Sequence, residues 1–389
     1  MQDNIQKLSN ATAEKGTRVL VRIDCNVPLN SDGTIADTFR LEAVTETIKY
    51  LSGKGAKIIV AGAIGRPKGK RDESLTTKCV AEYFQDNVLE KCSYVNEAFG
   101  EQVNDAIDQC NPGEGIVLEN LRFYEGEEQN DEAFAKELAG LADIYVNDAF
   151  GQCHRKQASI VAITKFLPSY MGLCLEKEVS ALESVLNNGQ DPVVAIIGGA
   201  KVSDKIGVID ALINRCDYIL IGGAMAFTFL KAGRMAIGNS LCEDDYIDKV
   251  GPWMKTGKIF LPNDFVVAEN IDSTEAEISK TIPSGYAGFD IGSDSIEKFI
   301  QIINSAKTIL WNGPMGVFEK PQFAQGTNQI ANAVADSNAY SVVGGGDSVA
   351  AIRQMGLENK IDHVSTGGGA TLEYIEQGTL VGVEALKVR

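Results

Sequence analysis

The sequence predicts an α/β protein made of two Rossmann-like, three-layer domains with parallel sheets. Three observations carry that reading. The chain has 389 residues, more than one ordinary hydrophobic core accommodates and enough for two. Short apolar, β-branched runs alternate with helix-like segments, the pattern of parallel strands joined by helical crossovers. Each run ends in a turn rich in glycine, aspartate or asparagine, and ligands of open parallel sheets bind beyond those strand ends.

In the first half the expected strands are residues 19–23, 57–61, 115–118 and 143–146, with helices over 40–51 and 131–141. A turn of Asn187, Asn188, Gly189, Gln190, Asp191 and Pro192 then opens a second series, with strands over 193–197, 218–221, 308–311 and 340–343. That turn is the expected boundary between domains. Just before it, Leu175, Val179, Leu182 and Leu186 recur at helical spacing, so residues 174–186 form a connecting helix, whether as a hinge or by packing alone.

Composition narrows the function. Hydrophobic residues at 44% and charged residues at 23%, without low-complexity tracts, exclude a disordered or fibrous chain. A net charge of −17 argues against a nucleic-acid partner, which needs dense Lys and Arg surfaces, so any phosphate site has to be local. The N-terminus lacks a basic-then-apolar leader and no run of about 18 apolar residues occurs, so neither export nor a membrane is expected. Eight scattered cysteines with no Cys-x-x-Cys pair read as reduced thiols of a cytoplasmic protein.

The second half concentrates glycine after its strands. Strand 193–197 runs into Gly198, Gly199, Ala200 and Lys201 and then a helix expected over 202–213, whose first turn would present Lys201 and Lys205 on one face. Backbone amides freed by small residues, together with a helix N-terminus, favour an anion there. A glycine turn with solvated lysines explains this single motif equally well. Further glycine turns at Gly222 and Gly223, at Gly344, Gly345 and Gly346, and at Gly367, Gly368 and Gly369 favour a nucleotide. Neither the P-loop nor the dinucleotide glycine spacing is present. Asp347 suits Mg²⁺ beside phosphates, or an ordinary helix cap.

The first half concentrates arginine instead. Asp24 and Asn26 come after the first strand, Gly65 and Arg66 after the second, Asn120 and Arg122 after the third, and Asn147, Asp148, His154 and Arg155 after the fourth, with Arg40 at a helix start. Guanidinium groups bind phosphate and carboxylate bidentately, so the set suits a small, highly anionic substrate, although any one arginine could equally serve a surface ion pair.

Nine ordered segments carry a specific resemblance: VRIDCNVP, AIGRPKG, LENLRF, VNDAFGQCHR, IIGGAKVSDKI, IGGAMAFTFLKAG, WNGPMGVFE, VGGGDSVAAI and STGGGATLE. Over nearly its entire length the chain resembles the phosphoglycerate kinase family. The resemblance implies transfer of a phosphoryl group between ATP and 3-phosphoglycerate, giving ADP and 1,3-bisphosphoglycerate, in a cleft between the domains. It implies 3-phosphoglycerate binding at Asp24, Asn26, Arg40, Arg66, Arg122 and Arg155. It implies Mg-nucleotide binding at Gly199, Lys201, Lys205, Gly223, Gly288, Asn312, Pro314, Glu319, Gly345, Gly346, Asp347 and Ser348, with Glu319 near the ribose and Asp347 at the metal. Arg40 and Lys201 are the implied catalytic groups. The implied layout is a substrate domain over 1–172 with 379–389 packing back on it, a hinge helix over 173–188 and a nucleotide domain over 189–378. A monomer is expected.

The chain departs from the family pattern around the arginines. Ala63 and Ile64 stand where the family has His-Leu, Cys25 where it has an apolar or aromatic residue, Gln152 and Cys153 where it has Thr-Ala, and Gln157 where it has His. In the other half, Ser293 replaces a usual Pro. Loss of the imidazole at Ala63 is expected to weaken substrate binding. If exposed beside arginines, Cys25 or Cys153 would carry a lowered pKa and sense oxidants, against the alternative of inert packing. A catalytically impaired nucleotide-binding protein of the same fold is the competing function, and a related acyl phosphate the competing chemistry.

Overall fold

The computed structural model describes residues 4–388. Residues 1–3 and 389, which fall in the expected first domain and its C-terminal segment, lie outside the described residues. The chain forms two compact units, one reaching Val179 and taking in the segment from Thr379 onward, the other running Ser180–Gly378. The division falls within the helix Leu173–Leu186, not at the turn over 187–192.

The first unit holds β1 (Arg18–Ile23), β2 (Lys57–Ala61), β3 (Cys92–Val95), β4 (Gly115–Leu118), β5 (Ile144–Asp148) and β6 (Ser169–Met171). They form one sheet in the order β3-β4-β2-β1-β5-β6, and every pairing is parallel. Parallel sheets are covered on both faces, which is why β1 and β5 are built around the apolar stretches 19–21 and 144–146 and are buried almost throughout. The helix Phe39–Gly53 buries Leu41, Val44, Ile48 and Leu51 against Val19, Val21 and Ile23. Each such side chain stabilises by about 1.5–3 kcal/mol, and together they fix the first turn of that helix, with Arg40, beside the end of β1. The C-terminal segment is tied back by Gly382 N–H donating to Cys153 O (2.8 Å) and Val388 N–H to Asn4 O (2.9 Å).

The second unit holds β7 (Val193–Ile197), β8 (Tyr218–Ile221), β9 (Ile259–Phe260), β10 (Phe265–Ala268), β11 (Glu277–Ser279), β12 (Ala287–Ile291), β13 (Thr308–Asn312), β14 (Tyr340–Gly344) and β15 (His363–Val364). Its main sheet has the parallel order β15-β14-β13-β7-β8-β9. Chain order reverses between β7 and β13, the position where doubly wound sheets open a crevice. A separate antiparallel sheet, β11-β10-β12, is inserted before β13.

The eight strands expected from the sequence all form, with ends shifted by a residue or two. Among the others, β3 is a short, half-exposed edge strand and β9 and β15 are only two residues long, which hides them from a periodicity reading. The helix expected over 202–213 is broken: a 3-10 turn, Ser203–Lys205, precedes an α-helix limited to Ile206–Leu212.

Candidate functional site

In the first unit the residues after β1, β2, β4 and β5 meet through one hydrogen-bond network. The Asp24 carboxylate accepts from Asn26 N–H (3.2 Å) and lies 3.4 Å from the Arg40 guanidinium, which donates to Asn26 O (2.8 Å). The Asn26 side chain accepts from Gly65 N–H (2.8 Å), and Gly65 O accepts from Arg122 (2.8 Å). Arg122 also donates to the Gln152 amide oxygen (2.8 Å), whose amide nitrogen donates to Asp24 (3.0 Å). The ring of bonds therefore closes across four strand ends. Asn120, buried, holds the β2 and β4 loops together by donating to Ile64 O (2.7 Å) and Leu75 O (2.8 Å).

Among the described residues of this unit, the buried polar atoms without a hydrogen-bond partner include Asp24 Oδ2, Arg122 Nε and His154 Nδ1 around the network, besides Arg22 Nη2, Asp148 Oδ2 and Gln157 Oε1. Buried polar groups are nearly always satisfied, so such a cluster is the signature of a site that a polar ligand completes. Arg122 is disfavoured as a cation first by burial, then by the like charges of Arg22 and Arg155. Burial, with Arg155 adjacent, also lowers the His154 pKa, which keeps that imidazole neutral and accepting from Arg155 Nε (3.3 Å). The surroundings of Arg122 thus call for an anion. Arg66 is exposed and adjoins the network through Gly65, and Arg155 adjoins it by donating its backbone N–H to Gln152 O (2.9 Å).

In the second unit a cavity of about 460 Å³ sits over the ends of β7, β13 and β14. Lys201, Lys205 and Asp347 bring charge to it, Gly199, Gly345 and Gly346 bring backbone, and Asn312, Pro314 and Ser348 complete the predicted set that lines it. Lys201 precedes the 3-10 turn and Lys205 ends it, so the two lysines reach one cavity from different backbone segments rather than from one helical face. That turn is held by Glu243, which accepts from Ser203 N–H (2.9 Å) and Oγ–H (2.7 Å). Nothing in sequence spacing pointed to Glu243, 40 residues away.

Lys205 is half-buried and donates to Asn312 Oδ1. Burial pulls its pKa down to about 8, opposed by Asp204 and Asp347. Ser348 shapes the cavity by accepting from Gly313 N–H (2.7 Å) and donating to Gly344 O (3.1 Å). Gly345 has φ +97°, and a Cβ there would stand 2.8 Å from the Asn312 amide nitrogen. Glycine is therefore required by both conformation and space. Asp347 occupies the first turn of the helix Gly346–Gln354 and is exposed to the cavity, while Gly345 takes the N-cap position. A hard divalent cation shared with a phosphate chain needs one or two carboxylates and otherwise phosphate and water oxygens. Asp347, with Asp204 also on the lining, fits that requirement.

Three expected nucleotide residues lie outside this cavity. Gly223 lines a separate recess with Phe227, Pro262 and Phe289. Gly288 is in β12 with its N–H bonded to Ser240 Oγ (2.9 Å), and Glu319 is exposed in the loop pinned by Val317 N–H to Phe289 O (2.9 Å).

The model of the family described as phosphoglycerate kinase matches residues 9–378. The chain belongs to the phosphoglycerate kinase family. It is 47% identical over 380 residues to the phosphoglycerate kinase of Rubrobacter xylanophilus, covering 96% of each chain. Against the phosphoglycerate kinase of Prochlorococcus marinus (strain MIT 9515) it is 45% identical over 399 residues, covering 98% of this chain and 99% of the other. Two phosphoglycerate kinase structures share its fold. The one from Coxiella burnetii superposes with a TM-score of 0.89 at 36% identity, that from Pyrococcus horikoshii OT3 with 0.86 at 32%, each pair covering 98% of both chains.

For a phosphoglycerate kinase, the oxidant-sensing idea raised by Cys25 and Cys153 is overturned. Both thiols are buried, and burial pushes each up to about 12, the reverse of an activated thiolate. Cys153 packs against Asn147 and Ala149 O instead. All eight cysteines are free thiols. Among the described residues no helix is long and apolar enough to cross a membrane.

Proposed function

We propose that the protein is an active phosphoglycerate kinase, catalysing ATP + 3-phosphoglycerate ⇌ ADP + 1,3-bisphosphoglycerate. Support comes from the family and, above all, from the pairing of two complementary anion sites in one chain: the unsatisfied arginine network and the two-lysine cavity. A catalytically impaired nucleotide binder has no use for the first of these.

The attacking group is a carboxylate, ionised at neutral pH, so no general base is required and the neutrality of His154 is no obstacle. Arg40, Arg66, Arg122 and Arg155, with Asp24 and Asn26, hold 3-phosphoglycerate. Lys201 and Lys205 pair with the nucleotide phosphates, Gly199, Gly345 and Gly346 let their backbone approach, and Gly223, Gly288 and Glu319 receive the nucleoside. Asn312, Pro314 and Ser348 shape the cavity wall. Asp347 would hold Mg²⁺, which neutralises phosphate charge. Lys201 and Arg40 stabilise the phosphoryl group in flight once the domains close around the helix Leu173–Leu186 and exclude water. The enzyme works as a monomer in the cytoplasm.

The test is ADP formation from ATP and 3-phosphoglycerate with magnesium, with Lys201→Ala as control and other small carboxylates as alternative acceptors. Turnover with 3-phosphoglycerate that collapses in Lys201→Ala is expected. Silence with every acceptor sinks the reading, and preference for another carboxylate moves it to a related acyl phosphate.

A further inference from the structure

Gln152 is 6% exposed, at the end of the 3-10 turn that comes after β5. Its amide reaches past β1 to the β4 loop, touching one negative and one positive group. A guanidinium only donates and a carboxylate only accepts, so a single orientation satisfies both neighbours: oxygen toward Arg122 (2.8 Å), nitrogen toward Asp24 (3.0 Å). Among the described residues Asp24 and Arg122 form no direct ion pair.

We infer that Gln152 is a positioning residue for the anionic substrate: a neutral amide spacer that keeps Arg122 from being neutralised by Asp24 while fixing the plane of its guanidinium. The inference rests on the phosphoglycerate kinase reading. Arg122 is anchored on one side by Gly65 O (2.8 Å) and on the other by Gln152, which leaves Nε unbonded, 3.7 Å from the half-exposed Glu128 carboxylate. A carboxylate at position 152 would take over that pairing and cancel the charge the substrate needs. An apolar residue would leave Asp24 and Arg122 both under-satisfied.

The experiment is steady-state kinetics of Gln152→Glu and Gln152→Met beside the unaltered enzyme, with Michaelis constants for both substrates from about pH 5.5 to 8. The ionised carboxylate introduced by Gln152→Glu would face Arg122 and Asp24 directly, with Arg22, Arg155, His154 and Glu128 the other charged or titratable groups around Arg122. Hydrogen bonds to charged groups are strong enough that the phosphoglycerate constant of Gln152→Glu should rise roughly 10-fold or more near pH 8 while that for ATP holds. Once protonated, the same carboxyl donates O–H to Asp24 and accepts from Arg122, reproducing the amide, so the variant to wild-type ratio should fall back toward one as pH drops. Gln152→Met should show the loss without the recovery. Wild-type phosphoglycerate affinity in both variants, or equal weakening of both substrates with a matching loss of thermal stability, overturns the inference. Absence of turnover in the unaltered enzyme instead overturns the reading of function beneath it.

Discussion

The ammonium of Lys205 is held by the side-chain oxygen of Asn312 inside the cavity over β7, β13 and β14. Asn312 is fixed in turn because its amide donates to Gly344 O (2.9 Å). The lysine therefore waits at a set position, partly stripped of water and held by a neutral amide rather than a carboxylate.

Nucleotide binding should depend on pH through this lysine. Burial lowers its pKa to about 8, so the free protein loses the charge as pH rises through that value, and bound phosphate restores it. Calorimetric titration with ADP should show affinity falling above about pH 8 with proton uptake on binding, and Lys205→Gln should be weaker and pH-independent in that range. Equal pH dependence in both proteins would discard the assignment.

Folding stability should carry a slope of opposite origin. Burial raises the carboxyl of Asp148 from 3.8 to about 7, and the same holds for Asp290. Between those values the folded chain keeps protons that the unfolded chain has released, so stability falls as pH rises from about 4 to 7 and is flat above. Asp148 accepts from Leu175 N–H (2.9 Å), which Asn can also do. Asp148→Asn should therefore match the wild type near pH 4 and melt higher near pH 8, read by denaturant or thermal unfolding.

Cys25 and Cys153 should resist alkylation in the folded protein. Both are buried with thiols pushed up to about 12, whereas Cys79 and Cys242 are partly exposed. Mass mapping after iodoacetamide should find label at the latter two first, with turnover retained. Early labelling of Cys25 or Cys153 would contradict their burial.

Ala63→His should not act as a simple gain of a binding group. Ala63 is 3% exposed, so the ring has to displace packed neighbours, at a cost of about 1–3 kcal/mol. A lowered urea midpoint is expected, whatever the change in the phosphoglycerate Michaelis constant.

Gly345→Ala combines strain at φ +97° with a Cβ 2.8 Å from the Asn312 amide. A loss of about 1–3 kcal/mol of stability and weaker ADP binding are expected together, because Asn312 also orients Lys205. Unchanged ADP affinity would separate Asn312 from the cavity's function.

The central strands, and the residues just beyond their carboxyl ends, are legible in the amino-acid order alone. β1, β5, β7 and β13 are buried on both faces, and runs of apolar residues mark them despite buried polar members such as Arg22, Asp148 and Asn312. The segregation of arginine beyond the first strands and glycine beyond the second is legible too, since strand ends are where a chain can spare residues from packing. Other features exist only once the chain has folded. Edge strands such as β9 and β15 form because a neighbour offers a ladder, and two residues carry no period. The burial of Cys25, the hold of Glu243 on the turn between Lys201 and Lys205, and the parting of Asp24 from Arg122 by Gln152 all depend on contacts across the fold. Asp24 and Gln152 are 128 residues apart, and no local pattern records which side chains the sheet order will bring within hydrogen-bonding distance of each other.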